Sequence, residues 1–226
     1  MDASLAPTLV IGPLTIMPAV VTTWIIMTML TAAAWLLTRR LQLDPGPLQT
    51  AVEGVVLTIE SAIAEIASSE ATKIMPFVGT LWIFLVAANL IGLIPGFASP
   101  TAELSVTSAL AILVFLSAHW FGIEAQGVRN YLYHYLKPSP ILLPFHVISE
   151  ITRTIALAVR LFGNMMSLEM AALMILLVAG FLAPVPILML HIVEALVQAY
   201  IFGMLALVYI SGGIQFQQSK ILADQE

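Results

Sequence analysis

The 226-residue chain contains no cysteine, which closes off both a disulfide framework and a thiolate metal site. Charge is nearly as scarce: 9% of residues are Asp, Glu, Lys or Arg, against roughly 25% in soluble domains. Set beside 60% hydrophobic residues, this scarcity excludes an ordinary water-soluble domain and points to an integral membrane protein with a helical core. A glycine-rich phosphate loop and a Walker-type lysine are missing, so the chain is not expected to bind nucleotide, and no nucleic-acid partner is expected. Neither a Ser, His and Asp grouping nor a pair of histidines at ligand spacing is present. No metal, no cofactor and no catalytic residue are therefore expected, and the chain is not read as an enzyme by itself. The opening stretch, MDASLAPTLVIGP, lacks a basic residue, and the first apolar segment ends in Arg39 and Arg40 where a signal peptide would need small residues. That segment is expected to be a retained span.

What is present reads as one all-α, polytopic membrane domain over residues 1–226, with five membrane crossings and one interfacial amphipathic helix. Span one runs from about 17 to 38, with Trp24 and Trp35 toward its ends. The turn Asp44-Pro45-Gly46-Pro47 opens the amphipathic helix, about 48 to 70. Leu48, Val52, Val55, Val56, Ile59, Ile63 and Ile66 fall on one of its faces, and Gln49, Glu53, Glu60, Ser61 and Ser68 on the other. This helix is expected to lie on the membrane surface, with Glu53, Glu60, Glu65 and Glu70 solvated. Span two, about 76 to 95, contains Asn89, which reads equally as an interhelical hydrogen-bonding residue or as part of a site. Span three covers about 104 to 121; the lone histidines His119 and His134 near its inner end read as structural. Spans four and five, about 141–181 and 187–216, both exceed a perpendicular crossing, so they are expected to be strongly tilted. Of the eight lysines and arginines, six lie on one side, none lies on the other, and Arg153 and Arg160 lie on the fourth span. By the positive-inside tendency the N-terminus is outside and the C-terminus cytoplasmic.

The fourth span organises the rest. Forty residues of helix would be roughly 60 Å long, about twice the hydrocarbon thickness, so it must tilt steeply, bend or break. Its centre, TIALAVRLFGNMM, sets Arg160 in apolar sequence. A guanidinium cannot shed its proton to escape the cost of leaving water, so Arg160 needs a partner or a polar cavity and is read as a functional site. On a helix His146, Arg153, Arg160 and Asn164 fall within about 40° of one another, with Glu150 beside them. For His146, Glu150 and Arg153, snorkelling to the head groups is an open alternative. On the last span His191, Glu194 and Gln198 share about 60° of arc, in line with Tyr209. Glu, His and Gln side chains at membrane depth are the materials of an ion relay, with Arg160 as its electrostatic centre. The competing class, a free-standing secondary transporter or channel, commonly shows an internal repeat, and none is evident here.

The run AVRLFGNMM followed by Glu169 resembles the signature of subunit a of F-type rotary ATP synthases. Three further stretches agree in order: NLIGLIPG at 89–96, PTAELSVTSALA at 100–111, and His191 and Gln198 seven residues apart. The likeness covers roughly residues 50–216. It implies an ion-translocating stator subunit in a bacterial plasma membrane, packed against a c-subunit ring, with b-type stator subunits and the remainder of the F1Fo complex as further partners. It implies that Arg160 faces the ring's ion-carrying carboxylate, that Asn164 and Gln198 support it, and that Glu169 and His191 belong to the access path. Two offset half-channels would then couple proton or sodium flow to rotation and to ATP synthesis or hydrolysis. Glu169 lies nine residues after Arg160, about 13.5 Å along the helix and about 180° around it, so it must line something other than the arginine's face. Glu169 and His191, at similar depth on antiparallel neighbours, are expected to hydrogen-bond and to line the outer half-path, or else to form a structural pair fastening the two helices. His146 and Glu150 are expected to line the inner half-path, with Arg153 and Glu194 as further access-path candidates. The chain departs from the common pattern at Thr154, where proline is frequent, at Ser167 and Leu168, where Ala and Gly are, and at His146, where glutamate is.

Overall fold

The computed structural model describes residues 9–11, 14–39, 46–67, 70–94, 97, 99–129, 131, 143–179 and 185–223. A two-stranded antiparallel hairpin, β1 (Leu9–Ile11) with β2 (Leu14–Ile16), comes first. Then follow α1 (Pro18–Thr38), α2 (Pro47–Ile66), α3 (Ala71–Leu90), two single 3-10 turns at Ile91–Leu93 and Pro100–Ala102, and α4 (Leu104–Gln126). Two long helices close the described chain, α5 (Leu143–Ala179) and α6 (Val185–Ala223). All of these helices except α2 are long and apolar enough to cross a membrane, giving five candidate spans in an otherwise all-α protein. Arg40, Asp44, Pro45, Ser68, Pro95, Gly96, His134, Lys137, Pro140 and the turn at 182–184 lie outside the described residues.

Length decides how the last two helices can sit. With 37 and 39 residues they are about 55 and 58 Å long, against roughly 30 Å of hydrocarbon, so they must tilt or project beyond it. α5 does not break: Gly163 in its middle stays helical. α3 begins at Ala71, so Pro76 lies inside it rather than at its start.

The core sits where α3, α4, α5 and α6 meet. Leu81 and Leu85 of α3, Ala111 and Val114 of α4, Leu157, Leu161 and Met165 of α5, and Phe202 of α6 are buried in one cluster. In lipid this association depends on close van der Waals packing rather than on the hydrophobic effect, and α6 supplies small residues for it: Ala195, Ala199, Gly203 and Ala206, all buried. Gly203 is the strictest of them, because a Cβ there would overlap the indole of Trp82 on α3. That indole lies parallel to the Tyr200 ring, centroids 6.1 Å apart, and its Nε1 donates to the Tyr200 carbonyl at 3.4 Å.

α2 joins through a second cluster, Ile63 and Ala67 against Ile74 and Val78 of α3 and Leu207 and Ile210 of α6. Only the C-terminal part of its apolar face is used: Ile63 is fully buried, whereas Leu48 is 75% exposed. Its polar face is solvated, with Gln49 donating to Glu53 at 2.7 Å and Glu70 paired with Lys73 at 2.8 Å just beyond its end. α1 touches the bundle near its N-terminus, where Ala19, Thr22 and Ile26 are buried; from Thr31 onward it is exposed. Arg39 lies 4.6 Å from the Trp35 ring, an interfacial cation–π pair at the end of the span. His119 hydrogen-bonds the Phe115 carbonyl at 2.8 Å.

Candidate functional site

α5 divides its faces cleanly. Leu157, Ala158, Leu161 and Met165 are buried against the bundle, while Arg153, Ala156, Arg160, Gly163 and Ser167 recur at helical spacing along the exposed side. Arg160 makes no hydrogen bond or ion pair among the described residues, and its apolar neighbours Ile155, Val159 and Met166 are exposed with it. A permanent charge thus stands on the outer, apolar surface of the chain. Its neighbours along its own stripe, Ala156 and Gly163, are small.

Behind this face lies α6. Asn164, half-buried at the edge of the stripe, donates from Nδ2 to Oε1 of Gln198 at 2.7 Å and so ties α5 to α6 one turn beyond the arginine. Gln198 and His191 are 1% and 2% exposed, yet Gln198 Nε2 and His191 Nε2 have no protein partner among the described residues. Buried polar atoms are normally paired, and these two orphans lie seven residues apart on one helix face. Glu194, half-buried, follows His191 by one turn. Toward the start of α5, Arg153 lies 3.9 Å from Glu150 and 5.4 Å from the Tyr209 ring of α6, with His146 exposed two turns before it.

A second polar group lies at the other end. Asn89 of α3, fully buried, donates from Nδ2 to the Ala195 carbonyl of α6 at 3.0 Å, and its Oδ1 accepts from Thr101 Oγ1 at 2.7 Å. Thr101 Oγ1 lies 2.7 Å from Ser99 Oγ, Ser99 Oγ reaches the Ala88 carbonyl at 2.9 Å, and the Ser99 N–H donates to Glu169 Oε1 at 3.0 Å. The His191 ring lies beside the Asn89 backbone. Glu169 and His191 therefore flank one polar cluster but do not bond each other: the Ser99 N–H takes the carboxyl instead.

The family model described as "ATP synthase A chain" matches residues 20–211. The chain belongs to that family. Its relatives include ATP synthase subunit a 2 of Pelobacter propionicus, 66% identical over 210 residues, covering 93% of this chain and 92% of the relative. ATP synthase subunit a 1 of Hahella chejuensis is 67% identical over 205 residues, covering 91% and 87%. ATP synthase subunit a of Legionella pneumophila is 60% identical over 211 residues, covering 93% and 92%. Membership in the ATP synthase A chain family, with the five apolar helices, makes this a multi-pass membrane protein of ATP synthesis and ion transport.

In this family member the candidate residues fall into three groups. Arg160, Asn164 and Gln198 lie at the middle of the α5–α6 pair, Glu169 and His191 at the Asn89 cluster, and Glu150, Arg153 and His146 at the opposite end of α5. Asn89 makes the interhelical hydrogen bond that the sequence suggested and also joins the polar cluster. Sequence reasoning assigned no role to Ser99 or Thr101. The signal available for them is weak: two hydroxyls flanking Pro100 in a short loop of an apolar chain.

Proposed function

We propose that this chain is the ion-translocating stator subunit of an F-type ATP synthase, set in a bacterial plasma membrane with its N-terminus outside and its C-terminus in the cytoplasm. Its neighbours are the c-subunit ring, b-type stator subunits and the remainder of the F1Fo complex. The observation that carries this reading is Arg160, exposed on an apolar surface and without a partner among the described residues. At membrane depth such a guanidinium needs a counter-charge, and the described residues supply none, so the partner is another chain that presents a carboxylate. Ala156, Gly163 and Ser167 are small enough to let a partner helix come close.

A fixed positive charge lowers the pKa of an approaching carboxylate, each unit being about 1.4 kcal/mol, and so drives release of its proton or sodium ion. The same charge opposes a cation passing directly between the two half-channels. Asn164 and Gln198 brace the helix pair beside it, Glu169 and His191 line the outer half-path, and His146 and Glu150 line the inner one, with Arg153 and Glu194 along the way. Ions enter the ring from one side and leave on the other after nearly a full turn, coupling their flow to ATP synthesis or hydrolysis.

The test is Arg160→Ala in the complete complex reconstituted in vesicles. Ion-driven ATP synthesis is expected to vanish while the chain remains assembled, and Arg160→Lys is expected not to restore it fully because lysine lacks the planar, permanently charged fork. Coupled synthesis at the normal rate in Arg160→Ala vesicles refutes the reading.

A further inference from the structure

The polar cluster at Asn89 contains two buried hydroxyls with no assigned role, and their protons can be counted. Thr101 and Ser99 each have one hydroxyl proton, while three contacts compete for them: Thr101 with Asn89 Oδ1 at 2.7 Å, Ser99 with the Ala88 carbonyl at 2.9 Å, and the two hydroxyls with each other at 2.7 Å. The Asn89 amide is oriented by its Nδ2 bond to the Ala195 carbonyl at 3.0 Å, so its Oδ1 faces Thr101 and takes the Thr101 proton. Ser99 then donates either to Ala88 or to Thr101. Thr101 is the fixed member of the pair, and it shares the hold on Ser99 with the Ala88 carbonyl.

What Ser99 carries is the hold on Glu169. Its N–H donates to Oε1 at 3.0 Å, which leaves Oε2 without a protein partner among the described residues. Nearby backbone approaches closely: a Cβ on Gly92 would lie 3.0 Å from Ser99 Cβ and 3.2 Å from Glu169 Oε1, so the loop and the carboxyl meet at a glycine. When Ser99 donates to Thr101, hydrogen bonds run from the Ala195 carbonyl of α6 through Asn89 and Thr101 to Ser99 and end on the α5 carboxylate.

We infer that Thr101 is a positioning residue for ion entry, holding the Ser99 loop so that Glu169 presents Oε2 to the outer half-path. The inference rests on the proposed role of Glu169 in that path. Without the Thr101 hydroxyl, Asn89 Oδ1 loses its donor and Ser99 Oγ keeps only the Ala88 carbonyl, so the Ser99 N–H is held less firmly over the carboxyl and Glu169 regains rotamers that ion capture must freeze again. Freezing one flexible side chain changes an affinity by about two- to tenfold.

The experiment uses the complete complex in vesicles, with ATP synthesis measured against pH, and separately against NaCl, on the side that feeds the outer path. Thr101→Val removes the hydroxyl at nearly constant shape. It is expected to raise the proton or sodium concentration at half-maximal rate by about two- to tenfold, with the maximal rate within about twofold of wild type. Thr101→Ser keeps the hydroxyl and is expected to restore the wild-type curve, which a merely space-filling role of Thr101 would not predict. An unchanged half-saturation in Thr101→Val, or a Thr101→Ser curve as displaced as that of the valine variant, overturns the inference. Should Thr101→Val fail to assemble, Ser99→Ala decides: it keeps the backbone N–H but loses the hydroxyl anchor, and a wild-type half-saturation there is equally fatal. Arg160→Ala in the same preparation separates the two levels. If it still synthesises ATP the proposed function fails; if it is inactive while the Thr101→Val curve is unshifted, only the present inference fails.

Discussion

Gln198 is buried with its Oε1 bonded to Asn164 and its Nε2 unpaired among the described residues, so the two members of this pair are unequal. Asn164→Leu strips the buried amide of its one bond and leaves both ends unsatisfied, a cost of about 1–3 kcal/mol. Gln198→Leu removes that amide together with its orphan, leaving only the half-buried Asn164 in need of a partner. In the purified complex, Asn164→Leu is therefore expected to lower the temperature at which the chain is lost from the assembly more than Gln198→Leu does. The opposite ranking would contradict this account of the pair. Residues of this kind differ in how legible they are. Arg160 could be read because a charge inside an apolar run violates the solvent that surrounds it. Asn89 could be read halfway, since an amide in a span must bond something but the sequence does not name the partner. Ser99 and Thr101 could not be read: a hydroxyl in a loop has no periodicity, and the carboxylate that gives Ser99 its meaning lies 70 residues away.

The α3–α6 crossing shows what an element's pattern conveys and what it omits. Hydropathy located both helices, and the length of α5 and α6 set them apart from ordinary spans, but nothing in a run of apolar residues says which glycine touches which tryptophan. Gly203 is where Trp82 enters α6, and a methyl group there meets the indole. Gly203→Ala is expected to separate the helices at a cost of about 1–3 kcal/mol, seen as less chain in the purified complex. Adding Trp82→Phe, which withdraws the clashing ring edge, is expected to recover part of that loss. If Gly203→Ala assembles at the wild-type level, the close crossing is not a determinant of the fold. α2 teaches the complementary lesson. Its period assigns an apolar face from Leu48 to Ile66, and only the part near Ile63 is covered by α3 and α6. A period specifies a face and leaves its covering to whatever lies alongside, here the interface or another chain. Likewise the second span is expected from about Pro76, but α3 begins at Ala71 and gains its earlier residues beside the Lys73–Glu70 pair.

At the scale of the whole molecule the prediction concerns sidedness, because the proposed half-paths open to opposite sides and the positive-inside tendency proposes which is which. A reporter after Lys220 is expected in the cytoplasm and one near Pro100 outside. The cysteine-free chain then allows single cysteines to map each path. His191 is 2% exposed and Glu169 is half-buried beneath the Ser99 loop, so bulky thiol reagents are expected to fail at both, while silver ions added outside inhibit His191→Cys and Glu169→Cys. His146 is exposed near the start of α5, so His146→Cys is expected to react with a bulky impermeant reagent, and only from the cytoplasmic side. Glu150, half-buried beside Arg153, is expected to show the same sidedness at a slower rate. Size dependence tests the burial and sidedness tests the topology, so the two fail separately: bulky reagents reaching position 191 would count against the packing of α6, whereas silver acting there only from the cytoplasm would invert the half-path assignment.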